Sequence, residues 1–193
     1  MIPAYLTDLE LPTIFALHCT NVDIYMQQSN KDEHIVDSET MKISGFVTTS
    51  FGQDEEDEEK YFEVKNPKGK AFSLLQIDNG IIKTTSTKKC DCAIADTDTL
   101  CLIEFKANAM SSNTKSIKKN YKKAMKQLIA TKEIMQKELT TLGKDLLILR
   151  KIEAFVCFRK GYPRITTSEM NYQVKFAAMT DGIPLSFDAM KEL

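Results

Sequence analysis

The chain lacks any apolar run approaching the roughly 20 residues that a helix needs to cross a bilayer. Its first residues also lack the basic and apolar blocks of a secretion signal. No membrane partner is expected, and a cytoplasmic location is the default expectation. Paired Cys-x-x-Cys spacing is missing too: Cys19, Cys90, Cys92, Cys101 and Cys157 are odd in number and fall mostly in expected strands. They read as reduced core thiols; three of them share one face of an expected hairpin, but with no fourth ligand they make a poor zinc site. Histidine is scarce, and His18 and His34 lie too far apart to form a local motif. There is no Walker or dinucleotide glycine motif, no zinc-finger spacing, no local Ser-His-Asp arrangement and no internal repeat.

What is present is an ordinary soluble composition over 193 residues, enough for one domain with a substantial core. The formal net charge of −1 averages over strong segregation. Asp54 to Glu59 is six consecutive acids, whereas 115–126 holds six lysines and no acid. The acid run reads as a solvated loop.

Residues 1–59 read as a helical or irregular N-terminal extension, with a broken helix over 3–19 that Pro12 interrupts. Residues 22–28 suit helix or strand, and 38–40 either cap a short helix or lead into a strand at 42–49. From Tyr61 the pattern is more regular. A strand at 61–64 and a turn at 66–69 precede a hairpin of 71–77 and 81–84 around Asp78-Asn79-Gly80. Beyond Lys106 a helix is expected from about 114 to 142. Its core stripe is Ile117, Tyr121, Ala124, Leu128, Met135 and Leu139, and Gly143 is its stop. Strands at 152–158, 172–179 and 183–187 follow, so strand, helix and return strand form a crossover. The expected fold is α/β (α+β), a central mixed sheet flanked by helices, with its core spanning 60–187.

The segment 89–106 sets Asp91, Glu104 and Lys106 into an otherwise apolar hairpin with a turn at 96–99. A symmetric turn puts Asp91 opposite Glu104, their Cβ atoms roughly 4.5–5.5 Å apart, and Lys106 on the same face. Lys89 then faces Lys106, and two facing cations call for an anion between them. Buried charges of this kind either pair among themselves or bind an ion. A simple pairing would leave one net negative charge. Hard carboxylate oxygens favour Mg²⁺ or Mn²⁺ as the missing cation.

Asp91, twelve residues, then Glu104-Phe105-Lys106 resembles the catalytic core of the PD-(D/E)XK nuclease superfamily, with Cys90 where the name-giving proline stands. The resemblance implies a restriction-endonuclease-like core and metal-dependent hydrolysis of phosphodiesters in nucleic acid, DNA more than RNA. It assigns metal binding to Asp91, Glu104 and the Phe105 backbone carbonyl, and water activation to Lys106. Glu33 and Glu39 are candidates for an upstream acid that many members use, and Gln127 occupies a helix where some members carry a functional Gln. Lys89, Lys118, Lys119, Lys122 and Lys126 are candidate phosphate contacts. A homodimer, or a cleaving subunit in a defence, restriction or repair assembly, is implied by analogy. The rival expectation is a catalytically silent module of the same fold that binds nucleic acid or protein.

Overall fold

Turn chemistry and apolar alternation organise residues 1–48, 60–107 and 109–193, which the computed structural model describes. In chain order the strands are β1 (Met26–Ser29), β2 (Glu33–Asp37), β3 (Ser44–Phe46), β4 (Phe62–Lys65), β5 (Phe72–Gln76), β6 (Cys92–Ala95), β7 (Thr99–Lys106), β8 (Lys151–Phe158), β9 (Leu185–Ser186) and β10 (Met190–Glu192). The helices are α1 (Leu11–Ile14), α2 (Thr114–Thr141), α3 (Leu146–Leu149) and α4 (Thr166–Met179), with short 3₁₀ turns near the N-terminus. A six-stranded mixed sheet has the order β1-β5-β6-β7-β8-β9, and a four-stranded mixed sheet the order β10-β4-β2-β3. The acid run at 54–59 lies outside the described residues. No helix among the described residues is long and apolar enough to cross a membrane.

Asp96 sets the register of the central hairpin. Its Oδ1 accepts the N–H groups of Asp98 at 2.7 Å and Thr99 at 2.6 Å, and the Thr99 hydroxyl at 3.0 Å. This is the local side-chain bonding by which Asp stabilises turns. The resulting pairs run from Ala95 opposite Leu100 to Cys92 opposite Ile103, in the symmetric register expected of the turn. Arg150 ties the turn to the N-terminus. Its guanidinium forks onto Asp8 at 2.7 and 2.8 Å and donates to the carbonyls of Tyr5 and Asp96.

The long helix follows its sequence pattern closely. All six stripe residues from Ile117 to Leu139 are buried. Asn113 caps the start by accepting the Lys115 N–H at 2.8 Å. At the end Gly143 is left-handed, with φ 68°, and Lys144 N–H reaches back to the Leu139 carbonyl at 2.9 Å. That is a Schellman closure, which a side chain at 143 would strain. β7 and β8 are parallel, so α2 is the crossover between them.

The hairpin is apolar on both faces for two different reasons. Ala93, Leu100 and Leu102 pack beneath α2 and the N-terminal turns, whereas Cys92, Ile94, Cys101 and Ile103 pack against the second sheet. Helices therefore flank one face of the main sheet and strands cover the other. In the covering sheet Ile35, Val36, Phe62 and Val64 are buried, while His34 and Lys65 are exposed. Cys90 packs on the helical side, not with Cys92 and Cys101, because the strand begins only at Cys92.

Three expectations are corrected. Residues 81–84 form no strand, because both edges of β5 are already taken by β1 and β6. Ile81 and Ile82 instead donate to the carbonyls of Gln76 and Ile77 in a tight turn. Residues 172–179 lie in α4, not a strand; β8 and β9 are parallel neighbours, and a parallel return needs a long crossover. The alternation of Tyr172, Val174 and Phe176 imitated a strand, but only Phe176 is buried. The N-terminal extension supplies β1 to the main sheet and β2 and β3 to the second.

Gly80 closes the 76–82 turn so tightly that a Cβ there would lie 2.2 Å from the Gln76 carbonyl oxygen. Gly80→Ala should lower stability in urea unfolding by about 2–4 kcal/mol, since backbone must move. Gly143→Ala, with open space around it, should lose only about 1 kcal/mol. An equal or smaller loss at Gly80 would contradict this turn geometry.

Candidate active site

The ladder between β6 and β7 ends at Cys92, and Asp91 extends it with its side chain. Its Oδ2 accepts the N–H of Phe105 at 2.5 Å. Its backbone carbonyl accepts the N–H groups of Ile77 and Asp78, each at 3.0 Å. Asp91 thus pins the end of β5 to the end of β7, and its carboxylate has little freedom to move.

Glu104 sits one residue earlier on β7 and is 1% exposed. Its Oε1 contacts the Lys106 ammonium, whereas its Oε2 is buried with no hydrogen-bond partner among the described residues. Lys106 Nζ also donates to the Phe105 carbonyl at 3.1 Å and to Gln127 Oε1 at 3.3 Å. Gln127 in turn donates through Nε2 to the Lys89 carbonyl at 3.1 Å. The structure therefore brings together Asp91, Glu104, the Phe105 carbonyl, Lys106 and Gln127.

Electrostatics describe a site with an excess of negative charge. Burial pushes the Glu104 carboxyl up to about 7, against the pull of Lys106, with Asp37 adding to the rise. Burial also raises Asp91 well above the usual carboxylate range; the charges of Glu104 and Asp37 add to this, while Lys106 and the Phe105 N–H oppose it. Asp37, at the end of β2, was not among the sequence candidates. Glu33 lies at the opposite end of that strand, where its carboxylate accepts from Ser29 Oγ at 2.7 Å, and exposed Glu39 lies beyond β2. An acid closing the apolar pair Ile35-Val36 was the available signal, but only the second sheet brings its charge near enough to act on Asp91 and Glu104.

An orphaned carboxylate oxygen beside a second carboxylate and a backbone carbonyl is a donor set that fits a hard divalent cation. No group of three or more His, Cys, Asp or Glu side chains converges as a metal cluster among the described residues. An ion here would draw on Asp91, Glu104, the Phe105 carbonyl and water.

The lysines divide by position. Lys89 is buried, and its Nζ bonds the Thr84 carbonyl at 2.5 Å and Asp78 at 3.1 Å. Its charge is answered there, so no anion is needed between Lys89 and Lys106. Lys118, Lys119, Lys122 and Lys126 are exposed on α2. At 3.6 residues per turn, Lys119, Lys122, Lys123 and Lys126 fall within about 100° of arc, with Gln127 at one edge beside Lys123 and Lys118 beyond the other. Lys123, absent from the sequence candidates, is near enough for its charge to act on Glu104.

None of the protein-family models, curated proteins or solved structures compared with the chain matches it.

Glu104 titrates near 4.5 when exposed and near 7 when folded, so the native state keeps a proton that the unfolded chain releases. Stability must therefore fall as pH rises between those values, with the full penalty present above the upper one. In chelator, Glu104→Gln should be more stable than wild type at pH 8 by on the order of 3 kcal/mol, with the gain vanishing near pH 4. Urea unfolding at both pH values checks this. A variant less stable than wild type at pH 8 would mean that the Lys106 contact outweighs burial.

Proposed function

We propose that the protein is a metal-dependent phosphodiesterase that cleaves nucleic acid, with Asp91, Glu104 and Lys106 as its catalytic residues. The observation that carries this reading is the buried Oε2 of Glu104, which has no hydrogen-bond partner among the described residues while Oε1 contacts the Lys106 ammonium and the charge of Asp91 acts nearby. A carboxylate without a partner in a protein interior is destabilising unless a positive charge completes it.

Asp91 and Glu104, with the Phe105 carbonyl, would hold Mg²⁺ or Mn²⁺. The chemistry such an ion supplies is a lowered pKa for water and neutralisation of charge on phosphoryl oxygens. Asp91 keeps its carboxylate in place through the Phe105 N–H. Lys106 presents an ammonium beside the carboxylates, where it can orient the attacking water or donate to a phosphate oxygen. Gln127 steadies that ammonium from α2. The arrangement agrees with the resemblance to PD-(D/E)XK nucleases, and that resemblance alone favours DNA over RNA.

A silent binding module is the second reading. The direct contact between Lys106 and Glu104 favours it, because the ammonium already serves as an internal counter-ion.

Purified protein with supercoiled, linear and single-stranded DNA and with RNA should show cleavage that requires Mg²⁺ or Mn²⁺ and stops in chelator. Glu104→Ala and Lys106→Ala should each reduce the rate at least about 100-fold. Wild type as inactive as both variants on every substrate would favour the silent module, and activity surviving both substitutions would place the chemistry elsewhere.

A further inference from the structure

Beside the site, the segment 78–89 runs along the flank of α2 and leaves a groove between them. Its first part, of about 330 Å³, is lined by Lys88, Lys123, Lys126 and Gln127, with Thr85 and Thr87 on the opposite wall. A second part of about 390 Å³ continues past Ser86 to Ile134 and Lys137. The two parts share Thr87 and Lys88 and follow one another along α2, lined by 123–127 and then 130–137, which we infer to be one channel. From Lys123 to Lys137 it follows the helix for about 21 Å, at 1.5 Å per residue.

Cations outnumber anions on the walls: Lys88, Lys89, Lys123, Lys126 and Lys137 stand against Asp78, which pairs with Lys89, and Glu133 in the second part. Ammonium groups of α2 and Lys88 face hydroxyls of the 85–87 segment, and together they supply donors to an anionic chain. The described residues lining both parts include no aromatic side chain. Stacking of bases, the usual sequence-tolerant grip on exposed bases, is therefore absent, and what remains is a lining suited to phosphates. Gln127 belongs to both the groove and the site: it lines the channel and accepts from Lys106. Lys89 forms part of the floor with its charge already matched by Asp78, which leaves the exposed lysines to meet a ligand.

We infer that this groove seats the sugar-phosphate backbone of one nucleic-acid strand on one side of the reacting phosphate. Resting on the nuclease reading, this adds the strand's path and its mode of recognition. At about 3.4 Å per stacked nucleotide the channel spans about six nucleotides. Recognition is through the backbone, and affinity is independent of base sequence.

The test measures binding apart from cleavage. A fluorescent twelve-nucleotide single strand is titrated with the full chain in chelator at several salt concentrations. Lys88→Gln/Lys123→Gln/Lys126→Gln should weaken binding at least about tenfold and make the salt slope shallower by about 2, at about 0.7 per lost single-strand contact. The equally charge-depleted Lys31→Gln/Lys68→Gln/Lys175→Gln, with all three substitutions on other exposed surfaces, should stay within about twofold of wild type. Strands of mixed and uniform sequence should bind alike. The inference is overturned if the groove variant binds as wild type does, if the control loses as much, or if polyglutamate of equal length competes as well as the oligonucleotide. Groove-dependent binding without cleavage in Mg²⁺ or Mn²⁺ would sink the nuclease reading and leave the groove standing. Cleavage that depends on Glu104 but not on the groove lysines would do the reverse.

Discussion

The structure turns on one costly act of burial: a glutamate set inside an apolar sheet with one carboxylate oxygen unanswered among the described residues. Glu104 shares its strand face with Leu100 and Leu102, which pack beneath a long helix, and water has little access to it. Lys106 answers one oxygen and leaves the other. Every neighbour follows from that arrangement: Asp91 is immobilised by a backbone N–H, Lys106 is braced by Gln127, and Asp37 adds its charge from the second sheet. On the proposed reading a cation would supply the positive charge that, among the described residues, only Lys106 now brings into direct contact with Glu104.

The surrounding architecture makes this burial possible. A hairpin covered on both faces excludes solvent from its middle, while the end of the ladder at Cys92 leaves Asp91 free to reach across with its side chain. The crossover helix then places Gln127 over Lys106 and carries its lysines along the adjoining groove. One helix thereby serves the packing of the sheet, the position of the ammonium and the charge of the channel. Packing falls to the apolar stripe, whereas the ammonium and the channel meet at Gln127, which belongs to both.

Much of the centre was legible in the sequence. Asp96 and Thr99 specify a turn whose register follows from local bonding, so the neighbourhood of Asp91, Glu104 and Lys106 could be read without a fold. The stripe from Ile117 to Leu139 and the stop at Gly143 were equally plain, since both depend on helical spacing and left-handed backbone. What escaped depends on partners distant in the chain. Tyr172, Val174 and Phe176 alternate as a strand does, and only the need to cross between parallel strands makes them helical. The covering sheet is built from short pieces on either side of residues 49–59 and from β10 near the chain's end, and no local pattern joins them. Asp37 was missed for the same reason, and Lys89 was misjudged because Asp78 claims it through a turn that resembled a hairpin.

The most direct test of the carboxylate pair is calorimetric titration of the intact chain with Mn²⁺ at pH 8, beside Asp91→Asn. One ion bound per chain, lost in the variant while its fold is retained, is the expected result. Wild-type protein that takes up no Mn²⁺, or an Asp91→Asn variant that binds it equally well, would contradict a cation site at Glu104.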